Sequence, residues 1–220
     1  MKTQANPPPL RPELPPTTRR IEKLPIDERG YPIPWFVSYI DGKPDFRIAD
    51  GAKWVKAVQE KICWVCGQPL GVHKTFCIGP MCAVTRTTTE PAIHLDCGVW
   101  SVRACPFMLR PTMKRREGGN VEDPEVENSG VLIERNPGVM CLWQTRDFKL
   151  FKDQNGKPLI EVGYPEIVTW WREGRAATRA EILESIESGY PKLTELCDSA
   201  EDLEALAGQR RFVETSLLPS

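Results

Sequence analysis

Cysteine and histidine residues concentrate in one short part of the chain. Six of the eight cysteines and both histidines lie between Cys63 and Cys105. Two short-range pairs stand out there, Cys63 with Cys66 and His94 with Cys97. Thiolate sulfur and imidazole nitrogen are ligands that Zn²⁺ prefers, and two such pairs folded against each other complete a tetrahedron. The spacing therefore predicts a zinc site held by these four side chains.

Further donors in the same segment leave the exact ligand set open. The alternates are three cysteines, Cys77, Cys82 and Cys105, and His73 is one more possible donor. Either Cys82 or Cys105 could replace His94 in a four-cysteine site or join a second metal ion. The cysteine count also allows an iron–sulfur cluster. A histidine in the second pair favours zinc over that cluster.

Two interpretations of the cysteines need no metal. In a redox dithiol, the reactive Cys-x-x-Cys pair lies at a helix N-terminus, where the helix dipole lowers the thiol pKa. Cys63 instead follows a predicted helix C-terminus, so its position disfavours that chemistry. Isolated cysteines also pack as small apolar groups. This is the interpretation for Cys141 and Cys197, which lie alone in a predicted strand and after a predicted helix.

The sequence lacks several established catalytic motifs: the zinc-deaminase His-x-Glu with Pro-Cys-x-x-Cys, the His-Glu-x-x-His metalloprotease motif, the phosphate-binding loop and the Gly-x-Ser-x-Gly elbow. One weaker constellation remains, because Cys82, Arg86, Glu90 and His94 follow one another at intervals of four residues. Free of metal, Cys82 and His94 could act as thiolate and base. The alternative to a binding module is therefore a metal- or thiol-dependent enzyme that uses Cys82 or an open position on zinc.

The elements that position the ligand pairs follow from turn residues and apolar periodicity. Residues 35–40 and 45–48, around Asp41-Gly42, predict a β-hairpin. Asp50 is suited to cap a helix over 51–61 that leads directly into the first ligand pair. Residues 74–84 are predicted to be extended, with an interruption at Gly79-Pro80. Thr89 is predicted to cap a second helix that runs to about residue 104 and carries His94 and Cys97 on one face near its start.

The carboxyl-terminal half predicts strands followed by helices. Strands are expected at 131–134, 139–143, 147–151 and 159–162, and the turn residues between them predict an antiparallel meander. Helices are expected over 164–171, from a Thr178–Glu181 capping box to Gly189, and from Ser199 to Gly208. This order predicts an α+β fold, with an antiparallel sheet, packed helices and an embedded zinc site.

Composition divides the chain into four regions. Residues 1–30 are a proline-rich arm, predicted to be flexible and extended, whose Pro-x-x-Pro spacings could serve an adaptor role. Residues 31–112 hold the hairpin, the first helix and the zinc-binding region. Residues 113–129 are charged and contain Gly118-Gly119, which predicts a mobile loop. Residues 130–220 hold the antiparallel strands and the helices after them.

The overall composition indicates a cytoplasmic protein without a membrane segment. The 220 residues are 40% apolar, which is enough to build a core, and they contain no apolar run of membrane-spanning length and no secretory signal. In the cytoplasm thiols stay reduced and available to metal. A net charge of −1 gives no general argument for nucleic-acid binding. A weaker indication is the set of basic residues after the cysteines: Arg103, Arg110, Lys114, Arg115 and Arg116. We therefore expect a zinc-stabilised module that binds nucleic acid or another protein.

Several motifs together resemble those of a group of uncharacterised cysteine-containing proteins of bacteria and phages. The motifs are Gly30-Tyr-Pro-Ile-Pro-Trp-Phe-Val37, Cys63-Trp-Val-Cys66-Gly67, Gly79-Pro-Met-Cys82, His94-Leu-Asp-Cys97 and Cys105-Pro-Phe107. The resemblance covers most of the chain from about residue 29 to residue 190. It implies a phage or mobile-element setting and no established activity. Residues 63–105 also resemble the treble-clef class of zinc fingers, which implies an architecture and not a function.

Overall fold

The computed structural model describes residues 8–110 and 136–220. These residues form a mixed α+β fold in which all strand pairings are antiparallel, as predicted. The strands are β1 Val37–Ile40, β2 Lys43–Ala49, β3 Lys74–Ile78, β4 Thr87–Thr88, β5 Met140–Thr145, β6 Phe148–Lys152, β7 Pro158–Val162, β8 Ile167–Arg172 and β9 Arg175–Ala176. The helices are α1 Gly51–Gln59, α2 Pro80–Thr85, α3 Leu95–Ala104, α4 Pro106–Leu109, α5 Arg179–Thr194 and α6 Ala200–Ser216.

The predicted hairpin and first helix are confirmed. β1 pairs with β2 around a two-residue turn in which Asp41 and Gly42 both adopt positive φ, the backbone geometry that such tight turns require. The Asp50 side chain accepts a hydrogen bond from the Lys53 backbone N–H at 3.1 Å and so caps α1. The helix ends at Gln59, and Lys61 has a left-handed backbone. This change of direction turns the chain into Cys63.

The larger sheet has the strand order β3-β5-β8-β9, and the main core lies between it, helices α2, α5 and α6, and β7. Phe76 of β3 lies opposite Trp143 of β5, and both side chains are fully buried. The indole Nε1 of Trp143 donates to the carbonyl oxygen of Gly163 at 2.9 Å, which satisfies its polar atom inside the core. β3 and β5 therefore form a rigid platform, and β3 also contacts the segment that leads into α3.

The predicted meander is wrong, because its strands separate into two sheets. β5 pairs with β3 and β8, whereas β6 and β7 pair with each other and with β4 in a second sheet, of order β4-β7-β6. Burial explains the separation. Five of the six residues of β5 are buried, as in a central strand, whereas four of the five residues of β6 are exposed, as at an edge. The strand predicted at 131–134 lies outside the described residues.

Two other predicted elements have the wrong type. The helix expected over 164–171 is instead strand β8, in which Trp170 lies opposite Cys141 of β5. β-Branched and aromatic residues fill this segment, and these side chains suit a pleated surface. The expected extended run over 74–84 is strand only to Ile78. Pro80 then begins α2, since its missing N–H and fixed φ suit a first helical position.

The last two helices begin as predicted and end later. Thr178 and Glu181 form the full capping box of α5, and Ser199 caps α6. α5 continues past Gly189, where the missing side chain makes room for Met81: a Cβ there would lie 2.9 Å from the Met81 side chain. α6 likewise passes Gly208 and runs to Ser216, with Val213 buried against the core. Both glycines were therefore wrongly predicted as helix ends.

The described part of the predicted proline-rich arm, residues 8–30, is packed against the rest of the chain. Ile21, in a 3₁₀ turn at Ile21–Lys23, is only 1% exposed. The indole N–H of Trp100 on α3 donates to the carbonyl oxygen of Pro15 at 3.4 Å. This packing differs from the flexible arm expected above, because apolar side chains within the arm find a buried surface. The mobile loop predicted over 113–129 lies outside the described residues.

Within the two described ranges, no helix combines the length and apolar character that crossing a membrane requires.

Candidate metal centre

The first ligand pair lies on a tight turn after α1. The backbone N–H of Gly67 donates to the carbonyl oxygen of Cys63 at 2.9 Å, and the N–H of Cys63 donates to Gln68 at 2.8 Å. The N–H of Cys66 points at the Cys63 sulfur, 3.5 Å away. Gly67 closes the turn with φ of 69°, a conformation that favours glycine. We call residues 63–67 the knuckle.

The second pair lies at the start of α3, although the predicted helix start at Thr89 is wrong. Ile93 and Thr75 of β3 exchange two backbone hydrogen bonds, of 2.7 and 2.9 Å, so the chain is bridged to β3 and not helical at this point. α3 begins at Leu95 with His94 as the N-cap residue, and Cys97 lies in the first turn. Because the two ligands flank the helix start, they still face the same space.

The structure brings together the four predicted ligands. The sulfur atoms of Cys63, Cys66 and Cys97 and a ring nitrogen of His94 all lie within 4.8 Å of one another. The Nδ1 atom of His94 is 3.4 Å from the Cys66 sulfur and 4.0 Å from the Cys97 sulfur. Tetrahedral zinc with bonds of about 2.0–2.3 Å separates its ligand atoms by roughly 3.3–3.8 Å. The four side chains therefore fit one ion with only small adjustments.

Hydrogen bonding outside the cluster orients the histidine ring. The Nε2 atom of His94 lies 3.1 Å from the carbonyl oxygen of Pro69. A neutral imidazole that donates from Nε2 has its lone pair on Nδ1, the nitrogen that faces the cysteines. Metal-binding histidines are commonly held in this way, with the second nitrogen donating to a carbonyl or carboxylate. The Pro69 contact thus matches the geometry of a ligand.

Hydrogen bonds within the cluster shift the pKa values of three of its members. Hydrogen bonds with Cys63 and Cys66 raise the pKa of His94 to about 10. Burial would raise the pKa of the Cys63 thiol, but hydrogen bonds from Cys66, Cys97 and His94 together hold it far below its usual value. Hydrogen bonding to Cys63 and Cys66 in turn raises the pKa of Cys97. A bound dication would take the place of these protons, since its ligands must be deprotonated.

Trp64 joins the knuckle to two other segments, by aromatic packing to the residues before β1 and by hydrogen bonds to the residues before α3. The ring of Trp64 stacks on Phe36 at a centroid distance of 5.2 Å and meets Trp35 edge-on at 6.2 Å. Its backbone N–H donates to Ala92 at 3.0 Å, and its indole N–H donates to the carboxylate of Glu90, also at 3.0 Å. These contacts hold the two ligand pairs together from outside the cluster. Sequence reasoning missed this role of Glu90, because no local pattern links residues 64 and 90.

The alternate ligands lie elsewhere. The described residues contain a single group of three or more close metal-donor atoms, and neither Cys77, Cys82, Cys105 nor His73 belongs to it. Cys77 lies on β3, where burial raises the pKa of its thiol, and burial likewise raises the pKa of Cys105, the residue before α4. Cys82 lies in α2. The described residues therefore give no support to a second metal site.

The two isolated cysteines lie apart from the cluster. Cys141 is fully buried in β5, where burial raises its pKa well above the usual value. This confirms its interpretation as a packed thiol. Cys197 is half-buried after α5, and its thiol donates to the carbonyl oxygen of Leu193 at 3.5 Å.

The residues of the weak catalytic constellation have separate surroundings. Arg86 donates to Glu161 at 3.2 Å and places its guanidinium over the ring of Tyr164. Glu90 accepts from the indole of Trp64, and His94 lies among the cysteines of the cluster. On one continuous helix this spacing would have aligned the four residues. However, α2 ends at Thr85, Arg86 has a left-handed backbone, and β4 and two bends follow before α3. The interval of four residues therefore has no structural meaning here.

His73 belongs to a different polar group, which the sequence did not predict. Its Nδ1 atom lies 2.8 Å from a carboxylate oxygen of Glu166, and Arg146 donates to the other oxygen of Glu166 at 2.5 Å. Hydrogen bonds from Arg146 and His73 lower the pKa of Glu166. His73 and Glu166 are 93 residues apart in the chain, so no local signal could have paired them.

Two of the five predicted basic residues can be placed. Arg103 is exposed in the last turn of α3, and Arg110 is exposed directly after α4. Lys114, Arg115 and Arg116 lie outside the described residues. The surface of the described ranges includes a cleft of about 520 Å³ between β8 and residues 216–219 and another of about 310 Å³ beside Arg86. Neither is lined by a member of the metal cluster.

Comparisons with protein-family models, curated proteins and solved structures find no match to this chain. The resemblances to bacterial and phage proteins and to treble-clef fingers therefore stay predictions.

Proposed function

We propose that this chain is a zinc-stabilised binding module in which Cys63, Cys66, His94 and Cys97 hold one Zn²⁺ ion. The proposal depends on one observation: four donor atoms from two distant parts of the chain lie within 4.8 Å of one another. Three sulfurs and one imidazole nitrogen are a common donor set of structural zinc. The nitrogen ligand favours zinc over an iron–sulfur cluster, which is usually held by thiolates alone.

The zinc in this proposal has a structural role. Four protein ligands complete its tetrahedron and leave no open position for a catalytic water. The ion would join the knuckle after α1 to the first turn of α3. Structural zinc binding contributes on the order of 10 kcal/mol or more to the folded state of small domains. A reducing compartment such as the cytoplasm, which we also propose as the location, would keep the three thiols available to the metal.

Chelation combined with hydrogen exchange tests this structural role. Removing zinc should increase amide exchange throughout residues 63–105, because the metal joins the two ends of this segment. Exchange in α5, which does not contain a ligand, serves as the internal control. A zinc-free protein that keeps the full protection of residues 63–105 would rule out a structural role.

The partner we propose is a macromolecule. No member of the cluster lines either cleft described above, so we propose that the metal supports a surface. Arg103 extends from α3, the helix that carries Cys97, and Arg110 lies just beyond it. These exposed cations suit phosphate contacts, so nucleic acid is one partner class. Protein is the other, consistent with the low net charge.

Salt dependence separates the two partner classes. Binding to mixed-sequence DNA and RNA should weaken steeply between about 50 and 200 mM salt if phosphate contacts dominate. The variant Arg103→Ala with Arg110→Ala should then bind more weakly and with a smaller salt slope, whereas Arg19→Ala, at an exposed arginine on another segment, should bind like the wild type. Absence of binding at low salt would reject nucleic acid and leave a protein partner.

A further inference from the structure

Arg20 connects the amino-terminal segment to the start of the ligand-bearing helix. Its Nη1 atom lies 2.9 Å from a carboxylate oxygen of Asp96, the residue directly before the ligand Cys97. The next residue, Ile21, is 1% exposed and belongs to one buried cluster with Cys63, Cys66 and Cys97. The guanidinium therefore contacts the residue next to a ligand, and the residue that follows Arg20 is buried among the ligands.

One atom of this guanidinium has no partner. The Nε atom of Arg20 is buried without a hydrogen bond, and among the described residues only the hydroxyl of Thr75 shares that condition. An arginine N–H can only donate, and enclosing it without an acceptor is costly. The pKa of Arg20 is raised, first by its hydrogen bond with Asp96 and further by the charges of Cys97 and Cys66. The charges of these two ligands therefore act on the guanidinium in the same direction as its bond to Asp96.

A zinc-bound cluster would need such a cation. Three thiolates bring three negative charges and Zn²⁺ brings two positive ones, while the imidazole ligand is neutral, so one negative charge remains. That charge would lie in a largely buried site, where an unpaired charge is expensive. Metal-bound thiolates also accept hydrogen bonds, and such outer contacts adjust the affinity of a site.

We propose that Arg20 is the counter-charge of the zinc-bound cluster and that its Nε–H donates to a ligand sulfur. This inference rests on the proposed zinc site and adds a residue that no ligand motif contains. It also couples the metal to residues 8–30. Arg20 is already paired with Asp96, and zinc binding would add an acceptor for its unpartnered Nε–H. Loss of zinc would remove that second acceptor and weaken the hold on the segment.

The test compares zinc affinity in the full chain by competition with a chromophoric chelator. Arg20→Gln removes the charge and should weaken zinc binding by about tenfold to a hundredfold, the range known for outer contacts of metal ligands. Arg20→Lys keeps the charge without an Nε donor and should lose less. Arg19→Gln alters the exposed neighbouring arginine and should match the wild type. Equal zinc affinity in the wild type and Arg20→Gln would overturn the proposal.

Hydrogen exchange supplies a second readout. In the zinc-loaded wild type residues 18–24 should be protected, and Arg20→Gln should lose protection there while α5 keeps it. If Arg20→Gln loses protection in α5 as well, the test uses the folded Arg20→Lys variant instead. A zinc affinity and an amide exchange at residues 18–24 that both equal those of the wild type would then overturn the role of Nε. If the wild type binds no zinc, the proposed function fails and this inference fails with it. If the wild type binds zinc but the zinc affinity does not depend on Arg20, only this inference is overturned and the proposed function stands.

Discussion

The ring of His94 is held by the backbone of Pro69, with Nε2 lying 3.1 Å from the proline carbonyl oxygen. The same ring places Nδ1 at 3.4 Å from the sulfur of Cys66. Pro69 lies two residues beyond the knuckle, and it forms an isolated bridge with Ile62, the residue before Cys63. The turn that supplies two ligands therefore also orients a third. Such an outer contact is expected around a metal-binding imidazole and has no evident use for a histidine that only packs.

Two replacements of His94 test whether its side chain is a metal ligand. His94→Ala removes one of four donors and should abolish stoichiometric zinc retention in a protein purified without added metal. His94→Cys restores a fourth donor and should retain one zinc, because four-cysteine sites are also closed tetrahedra. Metal analysis by plasma mass spectrometry measures both. Cys82→Ser is the control and should keep its zinc. Full retention in His94→Ala would contradict the ligand assignment.

Gly67 should be intolerant of a side chain. Its φ of 69° strains other residues, and a Cβ there would lie 2.6 Å from the ring of Trp35. Gly67→Ala should therefore lower the thermal stability of the zinc-loaded protein, by about 1–3 kcal/mol from the backbone strain alone. The matched control is Gly71→Ala, where no atom lies within 4 Å of the added Cβ. Equal melting temperatures for Gly67→Ala and Gly71→Ala would show that the knuckle does not depend on this close approach.

Zinc removal should change which thiols react. In the loaded protein, Cys63, Cys66 and Cys97 should resist iodoacetamide, because metal-bound sulfurs are engaged and these side chains are buried. Adding a chelator should make all three reactive, as read by peptide mass spectrometry. Cys141, buried in β5 with a raised thiol pKa, should stay unmodified in both states and report that the core remains folded. Equal labelling of the three cysteines with and without chelator would contradict metal protection.

Glu181 should contribute stability that is lost in acid. Hydrogen bonds from Arg175 and from the Thr178 backbone lower the pKa of its carboxyl from 4.5 to about 2. A pKa that is lowered in the folded state stabilises the protein above the unfolded value, and this stabilisation disappears as pH falls from 4.5 towards 2. The melting-temperature advantage of the wild type over Glu181→Gln should therefore shrink over that range. Glu184→Gln, at an exposed position on the same helix, should show a smaller pH dependence. An advantage independent of pH would contradict the assignment.

The local features of this fold were predictable because short segments determine them. The hairpin turn at Asp41, the cap at Asp50 and the capping box at Thr178 each depend on residues within four positions of one another. The four ligands were predictable for the same reason, since each pair spans three positions. The contacts that hold the two ligand pairs together depend on tertiary structure and could not be predicted from short segments. The hydrogen bond from Trp64 to Glu90 is an example.

The errors arose where tertiary contacts outweigh local preference. Residues 167–172 form a strand because β5 offers an edge to pair with, although a helix had been predicted. α5 passes Gly189 because Met81 packs closely there, although glycine often ends helices. Residues 8–30 pack because Ile21 finds the apolar surface around the ligands, which composition alone could not reveal.

X-ray absorption at the zinc edge of the purified, reduced protein tests the central claim most directly. We predict one zinc per chain with a first shell of three sulfurs at about 2.3 Å and one nitrogen at about 2.0 Å, and no water oxygen. Cys97→Ser should lose one sulfur or the metal altogether. A zinc shell with a bound water, a shell without nitrogen, or a wild-type protein that binds no zinc under these conditions would contradict the closed site that we propose.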